Sequence, residues 1–428
     1  MSSKQTSNKK KPSRPKIHPK MDKSLRHILQ ANKRPFTKAN APVKVIIEFA
    51  DHPSHKLLHG IRSGVASKPH QFRVRKRLGI IRSVSAHVHA RCLHKLCCHG
   101  AVKAVHLDQK LRTSLNIATP AIGSTALQRK GVTGKGITIA IIDTGVYPHP
   151  DLTKPVNRIA AFRDFIGKRK KPYDNNGHGT HVAGDAAGNG RSSGGKYTGP
   201  APRSRLVIAK AFDRTGSADT SNVIAALDWI LRTKKRYGTR IVNMSFGSPP
   251  GTASCNSDPL CKAATRAWNS GLVVVAAAGN QGPGARTIDT PGINPRIITV
   301  GASDDRRSLR QQDDTIAPFS SRGPAAGGVT KPDLVAPGVN IVSLRAPGSF
   351  LDVTEPSNRV GKSYFRMSGT SMSTPIVAGA IAQLLQQKPG LTPRRIKALL
   401  KGTAVKLRTG GPNTQGSGEV SLGRKKKK

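Results

Sequence analysis

The sequence predicts an α/β fold built on a mainly parallel sheet. Two short and almost continuously apolar runs, 136–142 and 272–278, have the length and composition of buried central strands. Each run leads to a polar residue, Asp143 or Asn280, and parallel sheets present functional groups at this carboxyl edge. A further apolar run, 376–382, predicts a packed helix. Composition agrees, because 43 glycines, 30 prolines and 4% aromatic residues favour small-residue packing with many turns.

Shifts in composition divide the 428 residues into four parts. Residues 1–42 are rich in Lys, Arg, Pro and Ser, hold Asp22 as their single acid, and are expected to be disordered. Residues 43–115 have the pattern of a small α/β module in the order β-α-β-α-β. Residues 116–410 have the length of a large enzyme domain. Residues 411–428 end in a basic run and are expected to form a second disordered tail.

A serine precedes the predicted C-terminal helix. Ser371 lies in a small-residue segment, 368–375, ahead of the apolar run. A helix N-terminus supplies backbone N–H groups and positive partial charge, which suit a nucleophile whose attack creates an oxyanion. Pro375 fits the first turn of this helix, where its missing N–H costs nothing. The alternative is an ordinary N-cap cluster of Ser and Thr residues.

Other segments carry polar residues at positions suited to catalysis. Asp143 begins a turn after its strand, and Asn280 offers uncharged N–H donors for a transient oxyanion, although both are also common turn residues. His178 opens a helix of small residues, and we interpret it as a general base and His181 as a packed helix residue. Two His residues three apart also suggest a metal site, but no Glu or Cys joins them at ligand spacing, so no metal is predicted.

In the order Asp, His, Asn, Ser, these segments resemble the subtilisin-like serine proteases (subtilases, peptidase family S8). The matching blocks are Asp-Thr-Gly at 143–145, His-Gly-Thr-His at 178–181 and Gly-Thr-Ser-Met-Ser-Thr-Pro at 369–375. The resemblance runs from about Gly131 to about Gly402 and is closest to the AprX-type intracellular branch of bacterial subtilases. It implies a three-layer α/β/α fold with a mainly parallel sheet, preceded by a small α/β, ferredoxin-like propeptide domain.

The resemblance also implies a serine endopeptidase that cuts proteins and peptides through an acyl-enzyme. Ser371 is the expected nucleophile, His178 the general base and then acid, and Asp143 the group that orients and stabilises His178. The oxyanion is expected between the Asn280 side chain and the Ser371 backbone N–H.

Substrate contacts follow from the same resemblance. A substrate strand is expected between two chain edges, held mainly by main-chain hydrogen bonds and therefore with broad side-chain specificity. Phe246 stands where the family often has Leu. The residues expected to bind substrate are Ser245, Phe246, Gly247, Ala277, Ala278, Gly279, Gly216 and Ser217.

Residues 43–115 are expected, from the resemblance, to be an inhibitory propeptide that assists folding and is removed by self-cleavage between Arg112 and Ala126. An ordinary accessory domain is the alternative. No cofactor is expected to be required. Asp151 matches a family calcium position, but the loop expected to complete that site, 189–196, is short and basic, which opposes a hard cation. The sequence leaves a weaker calcium site elsewhere open.

The net charge of +50, with 72 Lys and Arg against 22 acidic residues, is not explained by proteolysis. It is spread over the chain, since residues 1–115 hold 26 basic and 4 acidic residues. Such a surface predicts nonspecific, salt-sensitive binding to polyanions and steering of acidic substrates. A polyanion- or nucleic-acid-binding protein on a subtilase scaffold is therefore the alternative function, although no nucleic-acid motif is present. A host-wide bias toward basic surfaces explains the charge equally well.

The basic start of the chain is followed by no apolar h-region, and no apolar run reaches about 18 residues, so neither a secretory signal peptide nor a membrane span is expected. The chain has an odd number of cysteines, which are expected to be reduced thiols. These cysteines are Cys92, Cys97, Cys98, Cys255 and Cys261. Cys255 and Cys261 share a loop, however, and could form a disulfide. We expect a monomeric cytoplasmic enzyme, with export by another route left open.

Overall fold

The computed structural model describes residues 17–22, 25–26, 29, 42–78, 82–107, 115–167, 169–249 and 255–423. The chain divides into two compact units, residues 1–111 and 112–428, and each has a hydrophobic core of its own. Within the described ranges, no helix is both long and apolar enough to cross a membrane.

The first unit is an antiparallel sheet packed by helices. Its strands are β1 (Pro42–Phe49), β2 (Phe72–Leu78), β3 (Ser83–His89) and β4 (Val102–Leu107), and its helices are α1 (His55–Val65) and α2 (Ala90–Cys98). The sheet order is β2-β3-β1-β4 and the chain order is βαββαβ, which is a ferredoxin-like arrangement.

The first unit has one strand more than the predicted β-α-β-α-β order, which is therefore wrong in this respect. That order places only a basic helical stretch between β1 and β3, whereas the structure has both α1 and strand β2 there. The sequence of β2, Phe-Arg-Val-Arg-Lys-Arg-Leu, is dominated by charge. In the described sheet β2 pairs with β3 alone and is an edge strand, where basic side chains face solvent and discourage further pairing. Phe72 at its start is fully buried, so the strand is held by its apolar face.

The described residues of the N-terminal segment are packed, so the predicted disorder is wrong for these residues, whereas the remainder of residues 1–41 lies outside the described residues. Met21 and Leu25 are buried in the core of the first unit. The Asp22 carboxylate accepts hydrogen bonds from the backbone N–H groups of Leu25 at 2.6 Å and Leu107 at 3.0 Å. Two apolar residues four positions apart therefore anchor a stretch whose basic composition predicts disorder.

The second unit contains the larger sheet. Its strands are β5 (Thr138–Asp143), β6 (Ile159–Asp164), β7 (Arg205–Lys210), β8 (Thr239–Met244), β9 (Val273–Ala277), β10 (Ile298–Asp304), β11 (Thr315–Ile316), β12 (Leu334–Pro337), β13 (Ile341–Leu344), β14 (Arg359–Val360) and β15 (Tyr364–Met367). Its helices are α3 (Leu115–Ala121), α4 (Ser124–Arg129), α5 (Pro150–Thr153), α6 (His178–Ala187), α7 (Thr220–Tyr237), α8 (Pro259–Asn269), α9 (Phe350–Thr354), α10 (Thr370–Gln387), α11 (Pro393–Thr403) and α12 (Pro412–Gln415).

The main sheet of this unit has the order β11-β10-β9-β8-β5-β7-β6, and β12 also pairs with β10. Its pairs are parallel except β10 with the short β11. Strands β13, β15 and β14 form a separate antiparallel sheet. The predicted mainly parallel α/β architecture is therefore confirmed.

Helices cover both faces of the main sheet. Along β5, Ile139 and Ile141 belong to one core, which includes α6 and α10, whereas Ala140 and Ile142 belong to another, which includes α7 and α8. This alternation arises because successive side chains of a strand point to opposite faces. Both faces are buried, which explains why the strands are continuously apolar and confirms the three-layer prediction.

The C-terminal segment corrects the disordered tail predicted from residue 411. Helix α12 lies within it, and Glu419 and Val420 are fully buried. The Glu419 backbone exchanges hydrogen bonds of 2.8 Å with Val405, and the Val420 N–H donates to the Val335 carbonyl at 2.9 Å. The closing basic run, 424–428, lies outside the described residues. Its charge dominates the composition of residues 411–428 and therefore leads to the prediction of disorder for the whole segment.

Candidate active site

Asp143 and His178 meet at the carboxyl edge of the main sheet. Asp143 is the last residue of β5, and His178 is the first residue of α6. Gly177 before it has a φ of 109°, a left-handed conformation that glycine adopts without strain, and this turns the chain into the helix. Asp143 Oδ1 and His178 Nδ1 are 2.7 Å apart. The same oxygen accepts a 2.7 Å hydrogen bond from the Thr144 N–H.

Asp174 joins the two chain segments that carry this pair. The Thr144 hydroxyl donates to Asp174 Oδ1 at 3.0 Å, and the Gly177 N–H donates to the same oxygen at 2.8 Å. Thr180 donates to Asp174 Oδ2 through its N–H at 2.9 Å and its hydroxyl at 2.6 Å. A buried carboxylate with several donors is rigid, so Asp174 fixes the start of α6 against the end of β5. The sequence shows it only as part of a turn-forming run.

The pKa of His178 is raised above its ordinary value. Burial alone opposes the imidazolium, but the charge of Asp143 and its hydrogen bond to the ring outweigh that effect. With Nδ1 held by Asp143, Nε2 is the ring nitrogen left for proton transfer. This is the arrangement that a general base paired with a carboxylate requires.

Ser371 is the second residue of α10, and its carbonyl oxygen has an unusual partner. Pro375 lies inside α10, one turn later than the predicted first-turn position. Because proline has no N–H, it cannot bond the carbonyl of Ser371, four residues earlier. The Ser245 hydroxyl donates to that carbonyl instead, at 2.9 Å, and itself accepts from the Asn243 side chain at 2.8 Å. Ser245 therefore anchors the backbone of Ser371.

The amide of Asn280 is oriented by the residue before Ser371. Asn280 Oδ1 accepts hydrogen bonds from the Thr370 N–H at 2.9 Å and from the Thr370 hydroxyl at 3.0 Å. With the oxygen occupied, the Nδ2 group is left to donate to a ligand. An N–H donor of this kind beside the start of α10 suits a developing negative charge on a substrate oxygen.

The four residues predicted to be catalytic line one cleft of about 440 Å³. Most of the predicted substrate-binding residues line it too, namely Ser245, Phe246, Gly247, Ala277, Gly279 and Gly216. Ala278 and Ser217 do not. Ala278 is fully buried behind the cleft wall, and the Ser217 N–H donates to Asp213 at 3.0 Å in a neighbouring turn.

Comparison with known proteins shows the family of the chain. The model of the subtilase family, peptidase S8, matches residues 134–418. The chain belongs to the subtilase family. It is 42% identical to serine protease AprX of Bacillus subtilis (strain 168) over 386 residues, which cover 89% of this chain and 86% of AprX. It is 35% identical to subtilisin Savinase of Lederbergia lenta over 300 residues, covering 70% of this chain and 94% of Savinase.

A solved structure supports the fold of this subtilase. Sphericase is 29% identical and superimposes with a TM-score of 0.57, covering 73% of this chain and all of the sphericase chain. The subtilisin-like fold and the resemblance to AprX are thus confirmed. The chain is a subtilisin-like serine endopeptidase, and proteins are its substrates.

Aromatic side chains shape one wall of the subtilase cleft. Phe246 packs against Phe212 with ring centroids 4.8 Å apart, and both line the cleft. Further lining residues were not singled out from the sequence, because no motif contains them. They are Thr215, Gln281, Asp289, Leu351 and Met367.

The surroundings of Asp151 do not fit a calcium ion. Its Oδ1 accepts from the Ser192 N–H at 2.8 Å and its Oδ2 from the Tyr364 hydroxyl at 2.7 Å. The Arg158 guanidinium donates to the carbonyls of Asp151 and Ala187, so a protein cation fills this cluster of oxygens. A second cation there is opposed by charge.

Three further predictions concern the packing of His181, the binding of a metal ion and the pairing of cysteines. His181 is fully buried and lies 2.9 Å from Asp185, as expected of a packed helix residue. Among the described residues, no group of three or more His, Cys, Asp or Glu is arranged to hold a metal ion. All five cysteines are free thiols, so Cys255 and Cys261 are not paired.

Proposed function

We propose that this subtilase hydrolyses peptide bonds through a triad of Asp143, His178 and Ser371, with an acyl-enzyme intermediate. The observation that supports this most is the 2.7 Å contact between Asp143 Oδ1 and His178 Nδ1 in the cleft that Ser371 and Asn280 also line. We infer that an extended substrate chain lies along this cleft, as endopeptidases require.

The proposed reaction follows from these positions. Ser371 Oγ attacks the carbonyl carbon while His178 Nε2 takes its proton, and Asp143 stabilises the imidazolium. The oxyanion accepts hydrogen bonds from Asn280 Nδ2 and the Ser371 N–H. The C–N bond then breaks, and the amine leaves with the proton from His178. Water attacks the acyl-enzyme by the same route and releases the acid product and free Ser371.

Labelling and kinetics test this proposal together. A fluorophosphonate probe forms an ester with an activated serine, and we expect one label, on Ser371, in the wild type. Ser371→Ala is expected to lose the label and about 10⁶-fold in kcat. Asn269→Ala, a change of an exposed residue at the end of α8, is the control and should keep both. Labelling of another serine, or activity in Ser371→Ala, would contradict the triad.

We also propose that the first unit is an inhibitory propeptide and that the chain processes itself. Its ferredoxin-like arrangement supports this role. Ala118 and Ile122 are fully buried in the core of the second unit, so a cut after them would remove core residues. Of the expected window, 112–126, this favours cleavage before Ala118. Intact mass should show loss of the first unit in the wild type and a full-length Ser371→Ala chain; full-length wild type would contradict self-processing.

The cellular location of the enzyme and its binding to polyanions are also proposals. The free thiols favour a reducing, cytoplasmic location, which cell fractionation with an antibody to the chain would test. The net charge of +50 supports a second, polyanion-binding role. Ser371→Ala should then be retained on heparin at low salt and released as salt rises, whereas absence of retention at low salt would dismiss that role.

A further inference from the structure

Asp289 lies between two chain segments that form walls of the cleft. Its N–H donates to the Ala278 carbonyl at 2.9 Å, which joins it to the wall that ends in Asn280. The next residue, Thr290, exchanges backbone hydrogen bonds of 2.9 and 3.1 Å with Ser248, which joins it to the opposite wall. The side chain of Asp289 lines the same cleft as Ser371 but is only 6% exposed. The residue therefore bridges the two walls, and the space between them is called the slot.

Two glycines leave room for this carboxylate. A Cβ on Gly247 would lie 2.5 Å from Asp289 Cβ, and a Cβ on Gly279 would collide with Asp289 Oδ2. Both glycines line the cleft, one on each wall. Any side chain at either position would displace the carboxylate, so the slot and its acidic end depend on the same two residues.

The carboxylate has no basic partner within the described part of the chain. Gln281 Nε2 donates to its Oδ1 at 3.2 Å, and no described Lys, Arg or His forms an ion pair with it. Residues 250–254, which lie outside the described residues, contain no Lys, Arg or His. Two other buried aspartates of this unit have cations: Asp333 has Lys331 and Lys397, and Asp352 has Arg345 and Arg359.

An unpaired buried carboxylate is costly, because burial removes water without supplying a counter-charge. Burial raises the pKa of Asp289 to about 6, so above neutral pH the group is still an anion. In a chain with 72 basic residues, a counter-charge inside the protein would be easy to supply. Because Asp289 lines the cleft that Ser371 also lines, a bound substrate can supply that charge.

We propose that Asp289 is the floor of the S1 pocket and selects substrates with Lys or Arg on the N-terminal side of the scissile bond. This specificity rests on the proposed role of Ser371, because the position before the scissile bond is defined by the bond that Ser371 attacks. The apolar stem of the substrate side chain passes between Gly247 and Gly279, and its charged end reaches Asp289. The specificity is therefore narrower than the broad preference that the resemblance implies.

Binding to an inactive enzyme tests the proposal without relying on catalysis. Ser371→Ala is first cut in trans by tagged wild-type enzyme, which is then removed, so that the inhibitory first unit is released. It is then mixed with two peptides that differ only in having lysine or norleucine at the position before the scissile bond. We expect the lysine peptide to bind at least about tenfold more tightly, and Ser371→Ala with Asp289→Asn to bind the two equally. Equal affinities in Ser371→Ala itself would overturn the proposal.

Kinetics of the active enzyme complete the test. Peptide substrates with Lys, Arg or Phe at that position are compared in wild type, Asp289→Asn and Asp228→Asn, which removes a charge from an exposed helix face. Asp289→Asn should lower kcat/KM for Lys and Arg roughly 10²- to 10³-fold and leave Phe within about threefold. Asp228→Asn should change none of them. A wild type that cleaves Phe as well as Lys would overturn the role of Asp289 and leave the triad standing, whereas failure to cleave any substrate, with selective lysine binding retained, would overturn only the triad.

Discussion

Two buried aspartates line the same cleft and differ in what surrounds them. Asp143 is 2% exposed and has His178 as a permanent partner at 2.7 Å. Asp289 is 6% exposed and, in the described structure, is paired with no base. The comparison indicates that a carboxylate partnered within the protein serves the chemistry of every substrate, whereas one left unpartnered at the end of a slot serves the choice of substrate.

The partnered region is the site around Asp143, His178, Asn280 and Ser371, and its catalytic rate should be sensitive to the loss of a single hydrogen-bond donor. Asn280→Ala removes the oriented Nδ2 group and should lower kcat about 10²- to 10³-fold with little change in KM, for Lys, Arg and Phe substrates alike. Steady-state kinetics with the three peptides measures this, and Asn269→Ala is the matched control. An effect confined to basic substrates would break the distinction between the two regions.

The unpartnered region should respond to pH in its own way. Because the pKa of Asp289 is about 6, the group is neutral in acid and gains its charge as pH rises through that value. The ratio of kcat/KM for Lys over Phe should therefore increase, by roughly tenfold, between pH 5 and 8. His178 affects both substrates and cancels in the ratio. Asp289→Asn should make the ratio independent of pH, and a ratio that falls as pH rises would contradict this assignment.

A third set of buried acids sharpens the comparison, because it lies away from the cleft. Asp305, Asp314 and Glu419 are buried near the C-terminal segment. Burial, together with the charge of Glu419, raises the pKa of Asp314, and burial raises that of Asp305 to about 7. The folded state therefore holds protons that the unfolded state releases. The contribution of these two groups to stability is fully present below the ordinary carboxyl pKa of about 4 and is lost as pH rises through about 7 for Asp305 and about 9 for Asp314.

Asp314→Asn removes one of these titrations. We expect it to raise Tm by a few degrees at pH 9 and to change it little at pH 5, because about 1 kcal/mol corresponds to roughly 2–4 °C in a unit of this size. Differential scanning fluorimetry across pH provides the measurement, with Asp228→Asn as the charge-matched control. A Tm that drops equally at both pH values would mean that Asp314 stabilises as an anion.

The smallest expected effect concerns calcium. Since Arg158 and protein hydrogen bonds occupy the surroundings of Asp151, a chelator such as EDTA should leave kcat/KM and Tm unchanged. A fall in Tm that added calcium reverses would contradict the prediction that no calcium is required.

Sequence reasoning reaches the partnered region and misses the unpartnered one for a physical reason. Asp143, His178 and Ser371 lie at ends of strands or helices within short, characteristic segments. Asp289 lies in an irregular connection between β9 and β10, and it reaches the cleft only because Thr290 pairs with Ser248, which no local pattern reveals. A short sequence motif cannot reveal a contact between residues that are more than forty positions apart in the chain, as Thr290 and Ser248 are.

Composition predicts the wrong structure where charged residues and packed residues share a segment. Strand β2 is basic because it is an exposed edge, and the C-terminal segment is packed although a basic run follows it. The same segment contains Glu419, whose carboxylate accepts from the Ser303 hydroxyl and from the Gln311 side chain inside the fold. Average charge over a segment does not distinguish solvated residues from individual buried ones.

One side-by-side measurement tests the contrast between the two aspartates most directly. Values of kcat/KM for Lys, Arg and Phe substrates are determined in wild type, Asp143→Asn and Asp289→Asn at pH 8. The account predicts that Asp143→Asn lowers all three about 10⁴-fold, and that Asp289→Asn lowers only Lys and Arg. If Asp289→Asn lowers all three equally, or leaves all three unchanged, the division of labour between the two aspartates is wrong.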